Sequence, residues 1–174
     1  MLKSLTTEFD RYRQTGDKAL AQLSVDDLNR IPNAGGNSIA MIVRHLGGNL
    51  LSRFTDFLTT DGEKLWRDRD AEFEERRYEQ HEVLDWWNRG WQVLQSELVQ
   101  LTDADLNRTV TIRGIPLTVG DALARSVAHV AYHVGQIVLL ARIDKGEQWQ
   151  WISIPRGESQ AYNANPTKEK GPGK

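Results

Sequence analysis

The 174-residue chain has no cysteine. That excludes a disulfide framework, a thiolate nucleophile, and any zinc or iron-sulfur site built on cysteine. A metal held here must be held by imidazole, carboxylate or water. Clustered positive charge is also lacking: Lys and Arg number 22 against 24 Asp and Glu, for a formal net charge of -2. A surface that neutralises nucleic-acid phosphates shows an excess of Lys and Arg, so nucleic acid is a poor candidate partner. No run of eighteen or more apolar residues is present to span a bilayer. The opening MLKSLTTEFD has no apolar core and no small-residue cleavage site, so the expected location is cytoplasmic, with no membrane partner. Hydrophobic residues at 39% and charged residues at 26% are ordinary globular usage, and the length suits one domain with a proper core.

Four segments carry a helical period. Leu5, Phe9, Tyr12, Ala19 and Leu23 mark the first, which ends where SVDDLNRIP offers a turn. The second runs from about Ser38 to Leu58, with Ile39, Ile42, Val43, Leu46, Leu50, Phe54 and Phe57 on one side. The third, His81 to Leu101, places Leu84, Trp87, Trp91, Leu94, Leu98 and Leu101 in alternating steps of three and four, as in the seam of a bundle helix. The fourth starts at Thr118, an N-cap with Asp121 three residues on, and runs to about Lys145, where Gly146 stops it. These predict an all-α domain over residues 1–160.

Between the second and third segments, 13 of the 20 residues from 63 to 82 are charged, and Trp66 and Phe73 are the main apolar anchors. This reads as a solvated, partly irregular crossover that joins helices which need not be antiparallel neighbours. TVTIRGIPLT, with β-branched residues around Arg113-Gly114, predicts a short hairpin or an extended loop. The stretch after Gly146, with Trp149 and Trp151, reads as ordered coil packed on the helices, and 161–174 as a flexible tail.

The chemistry rests on HVAYH, residues 129–133. The chain has only four histidines, His45, His81, His129 and His133. On a helix His129 and His133 lie one turn apart on one face, so both imidazoles can reach one ion. The same spacing also fits two histidines satisfied within the fold or facing solvent. His45 lies at the edge of the second helix beside Ser38, Asn49 and Asp56, available as a third imidazole but equally placed for an exposed polar face. His81 sits in the charged run and reads as a surface residue. Three neutral imidazoles suit Zn, Ni or Fe(II), and a fourth position left open favours catalysis over a structural role. Gly47, Gly48 and Gly135 each weaken a helix, and close packing beside the site would account for them. A di-iron carboxylate bundle needs Glu-x-x-His, but Ile42, Tyr78, Ser126 and Val130 stand three residues before the histidines. The HExxH zinc motif fails because Val130 follows His129.

With SIAMIVRHLGGN in the second segment, HVAYHVGQI in the fourth and the four-segment order, the chain resembles the DinB-like superfamily, which includes the YfiT-like metalloenzymes. FTDFLTTDGEKLWRDRDAEF and SIPRGES resemble an uncharacterised branch of it. The resemblance covers about residues 1–160. It implies a four-helix bundle with a long crossover between helices two and three, a metal site at His45, His129 and His133, and a homodimer. It further implies either a thiol-dependent transferase or isomerase that uses a low-molecular-weight thiol (mycothiol, bacillithiol or glutathione), or an activity of another kind.

The expected function is therefore a metal-dependent thiol S-transferase or hydrolase acting on a small molecule. The ion would lower the pKa of a bound water or thiol to make the nucleophile. The alternative is a non-catalytic dimeric bundle whose metal is structural or vestigial. Asn49 and Gln136 are candidates to hydrogen-bond a ligand or steady the histidines, and Arg156 of SIPRGES is a candidate to fold back and hold a carboxylate.

Overall fold

The computed structural model describes residues 1–166. Among these the protein is mostly helical: α1 (Leu2–Leu20), α2 (Val25–Asn29), α3 (Ile39–Phe54), α4 (Gln80–Gln100), α5 (Val119–Lys145) and α6 (Ser159–Ala164). A single antiparallel pair, β1 (Thr109–Ile112) and β2 (Ile115–Thr118), precedes α5.

Local chemistry sets the helix ends. The Ser38 side chain caps α3 by accepting from the Met41 amide, and Thr118 caps α5 by accepting from the Asp121 amide. Gly146, at φ +51°, closes α5 in a conformation that L side chains rarely adopt. The SVDDLN turn is itself helical: Ser24 and Asp27 form a reciprocal capping box around α2. Asp27 also accepts from Lys145 Nζ at 2.8 Å, which ties α2 to the end of α5.

α3 packs along α4, α1 along α5, and α3 also meets α5. Leu46, Leu50, Trp87, Trp91, Val130, Val134 and Ile137 are buried in the core between them. The stripe expected on the third helix is shifted at one end: Val83 is buried while Leu84 is exposed. The contact between α3 and α4 is a backbone contact. A Cβ on Gly90 would lie 2.8 Å from the Cα of Gly47, and one on Gly47 would overlap the Trp86 carbonyl. Gly135, by contrast, has nothing within 4 Å of a Cβ position, so close packing does not explain it.

By length and composition Val119–Gln148 is apolar enough to cross a membrane, a property not visible as an uninterrupted apolar run in the sequence. Here that helix carries HVAYH and packs on α1 and α3. Of the two readings of this segment the hairpin is the one found, turning at Arg113-Gly114, both at positive φ. The Asp61 carboxylate accepts from the amides of Arg113 and Gly114 at 2.8 Å each, and the Gly62 amide donates to the Thr111 carbonyl at 2.8 Å. Ser52 of α3 donates to the Gly62 carbonyl at 2.8 Å, so helix, crossover and hairpin are fastened at one point.

The crossover differs from the solvated connection its composition predicts. Trp66 is exposed, as is Leu65, while Glu72 is buried and the Arg67 side chain is only 2% exposed. Charged groups are therefore buried in it beside Tyr78. After α5, Trp149 is buried and Trp151 exposed. α6 extends past the boundary expected at residue 160, and residues 167–174 of the expected tail lie outside the described residues.

The two kinds of glycine should respond oppositely to alanine. Gly90→Ala is expected to cost roughly 1–3 kcal/mol, because a methyl group is forced into backbone. Gly135→Ala should gain up to about 1 kcal/mol from helix propensity alone. Urea unfolding midpoints of the two variants check both signs.

Candidate metal centre

α5 projects His129 and His133 from successive turns of one face, and α3 brings His45 against them. The His133 Nε2 lies 3.1 Å from the His129 Nε2, and the His45 Nε2 lies 3.4 Å from that same atom. Among the described residues, these three form a group whose ligand atoms all lie within 4.8 Å of one another. His45 is buried, at 5% exposure, so the exposed-face reading of this residue is wrong. His81 is exposed, as the sequence predicts.

Two of the rings are held from behind. Glu72 Oε2 accepts from His45 Nδ1 at 2.8 Å, and the carboxylate is itself gripped by Arg67, Nε to Oε1 at 2.8 Å and Nη2 to Oε2 at 3.0 Å. Gln136 Oε1 accepts from His133 Nδ1 at 2.8 Å, while its amide nitrogen donates to the Tyr132 hydroxyl at 3.2 Å. A carboxylate only accepts, so His45 carries its proton on Nδ1, and the amide orientation does the same for His133. In the neutral rings both Nε2 lone pairs then face His129.

The protein alone cannot satisfy this arrangement. His129 Nδ1 is buried with no hydrogen-bond partner. If His129 is protonated on Nε2, one hydrogen must serve two acceptors while a bare Nδ1 lone pair stays buried. If it is protonated on Nδ1, three lone pairs converge with no hydrogen between them. A cation among the three Nε2 atoms removes the lone-pair repulsion of the second case. Donors about 2.0–2.1 Å from one tetrahedral ion stand roughly 3.4 Å apart, close to the separations seen here. The residues present therefore fit a metal ion.

Electrostatics agree with neutral rings. Burial first, then the charges of His133 and His45, push His129 down to about 3. Burial likewise pushes His133 down to about 4, against the hydrogen bond it donates to Gln136. Burial alone would raise the Glu72 carboxyl, but the hydrogen bonds from His45 and Arg67 prevail and hold it below the usual carboxylate range.

A cavity of about 180 Å³ adjoins the centre, bordered by His45 and His129 together with Asn49, Ser126 and several arginines. Of the residues expected to assist, Asn49 borders this cavity and Gln136 bonds to His133. Arg156 is exposed and does not border the cavity. Glu72 and Arg67 escaped the sequence reading. The spacing of a charged run does not mark which of its members are buried. The one available hint is Gly48, where a Cβ would overlap Glu72 Oε1.

An all-α fold with three histidines meeting beside a cavity defines a helical protein with a potential metal centre. Residues 1–158 match the family described as protein of unknown function DUF1572, and the chain belongs to that family. No curated protein matches it.

The depressed histidines give the metal-free protein a pH dependence of known sign. Between pH 6.5 and about 4 the unfolded chain binds protons at His129 and His133 that the folded chain does not, so stability falls as pH falls. Each ring contributes at most about 1.4 kcal/mol per pH unit. In chelator, the urea midpoint should drop from pH 7 to pH 5.5, and a His129→Gln, His133→Gln double variant should flatten the slope. Equal slopes would contradict the assignment.

Proposed function

We propose that the chain is a metal-dependent enzyme of the DinB-like type, a four-helix bundle with an overhand crossover in which His45, His129 and His133 hold a divalent ion. The observation that carries this reading is the convergence of three Nε2 atoms, at 3.1 and 3.4 Å about His129. The all-nitrogen donor set suits Zn, Ni or Fe(II). When bound, such an ion supplies Lewis acidity, lowering the pKa of a coordinated water or thiol so that a nucleophile exists near neutral pH.

The chain's own residues supply position. Glu72, anchored by Arg67, fixes the His45 ring, and Gln136 fixes that of His133. Such partners set ring orientation and raise ligand basicity. Asn49 and Ser126 present polar groups along the adjoining cavity, where a substrate can be hydrogen-bonded next to the histidines. The absence of cysteine means that thiol chemistry requires a low-molecular-weight thiol as co-substrate. The reaction class is thiol S-transfer or hydrolysis, in the cytoplasm. The cavity at the histidines favours this over a bundle with a purely structural ion, since a closed structural site needs no such space.

The test is metal content by inductively coupled plasma mass spectrometry on tag-free protein purified without chelators. Wild type should carry close to one ion per chain, and His45→Ala and His129→Ala should each lose it. A wild-type protein that takes up none of Zn, Ni or Fe(II) on incubation would overturn the proposal.

A further inference from the structure

Arg53, Arg67, Arg69, Arg113 and Arg125 all border the cavity that His45 and His129 share, and no acidic side chain borders it. They arrive from four parts of the chain: the end of α3, the crossover, the hairpin turn and α5. Convergence from such distant positions is not the signature of a solvated charge run, whose members are neighbours in sequence.

Two carboxylates touch these guanidinium groups. Glu63 lies 3.2 Å from Arg53, 3.9 Å from Arg67 and 3.1 Å from Arg113, and Glu72 lies 2.8 Å from Arg67. Among the described residues, Arg69 and Arg125 have no carboxylate within 4.0 Å; Arg69 lies over the Phe73 ring at 5.2 Å, and Arg125 is exposed. Of the five guanidinium groups at the cavity wall, those of Arg69 and Arg125 therefore stand without an acidic partner among the described residues. The crowding is felt within the set. Burial lowers the pKa of Arg53, and the charges of Arg67 and Arg113 add to this against the pull of Glu63. Clustering like charges around a concave, partly dry space is unfavourable unless an anion enters, and it concentrates anions there.

We infer that this cavity is the binding site for a small molecule bearing carboxylate or phosphate groups, held by the arginines with its other end at His45 and His129. The inference rests on the metal reading only for what happens at that other end. The guanidinium fork pairs two parallel N–H groups with two oxygens of either anion. Arg53, Arg67 and Arg113 are already braced by Glu63 and Glu72, forming a fixed wall. Arg69 and Arg125 are the groups left to close on the ligand. At about 180 Å³ the space is well below that of pockets for drug-sized ligands, roughly 300–1,000 Å³, and suits a compact metabolite.

Calorimetric titration of the full chain with succinate and with inorganic phosphate, in chelator-treated and in zinc-loaded protein, tests this. At least one anion should bind in both states, the affinity should fall with added NaCl, and the neutral analogue succinamide should not bind. The tighter anion identifies the group recognised. Arg69→Gln and Arg125→Gln should each weaken binding about tenfold or more, since each removes a charge-assisted hydrogen bond. Neither side chain has a carboxylate partner to lose, so folding and metal content should be unchanged. Absence of anion binding in both states, binding of succinamide equal to that of succinate, or wild-type affinity in both variants would overturn the inference. Zinc uptake without anion binding would leave the metal reading standing and remove this one. Anion binding by a chain that takes up no metal would do the reverse.

Discussion

The ion pair of Arg67 with Glu72, and the hydrogen bond that Glu72 accepts from His45, is the constraint on which the rest of the structure depends. Both partners are almost wholly removed from water, with side-chain exposures of 2% and 5%. An unpaired charge there would be costly, and breaking such a buried pair typically destabilises by about 3–5 kcal/mol. The hydrogen bond from His45 therefore fixes the crossover against α3, and the ion pair, internal to the crossover, holds the carboxylate in place for it. Gly48 makes it possible, since any side chain there would fall on the carboxylate. Phe73 then stacks near the His45 ring, with centroids 4.8 Å apart, so that the segment orienting the histidine also covers it.

From this follows a division of labour between helix geometry and tertiary packing. The α5 backbone alone sets the separation of His129 and His133, whereas the place of His45 depends on how α3 meets α5. The glycine contact between α3 and α4 and the clasp of Ser52, Gly62 and Asp61 hold that arrangement from two sides. The same clasp carries Arg53 and Arg113 to the cavity wall. Neutral imidazoles and a surplus of guanidinium groups over the two carboxylates, Glu63 and Glu72, that pair with them make the region electropositive, which suits an anionic ligand better than a neutral one.

Much of the fold is legible in the sequence because caps and periodicity are local. Thr118 with Asp121 and Gly146 bound α5 as expected, and Arg113-Gly114 turns the hairpin. HVAYH is legible for the same reason: a spacing of four on a helix fixes two rings side by side. That His45 is buried beside them is decided by packing, which its polar flank of Ser38, Asn49 and Asp56 does not disclose. Glu72 and Arg67 were illegible because 13 charged residues in the 20 from 63 to 82 share one composition, and burial selects among them only after the chain is folded. Trp66, the natural apolar anchor of that stretch, is exposed instead. The five arginines are spread between positions 53 and 125, so no window of sequence contains their cluster.

The most direct measurement is zinc affinity by competition with a chromophoric chelator, comparing wild type with Glu72→Gln. Glutamine keeps the size of the side chain but removes the charge that orients His45 and balances Arg67. The account predicts that binding remains at one ion per chain and weakens roughly ten- to a hundredfold, the usual effect of removing a partner that orients a ligand. Affinity equal to that of wild type would mean that Glu72 does not govern the centre, and would contradict the account at its base.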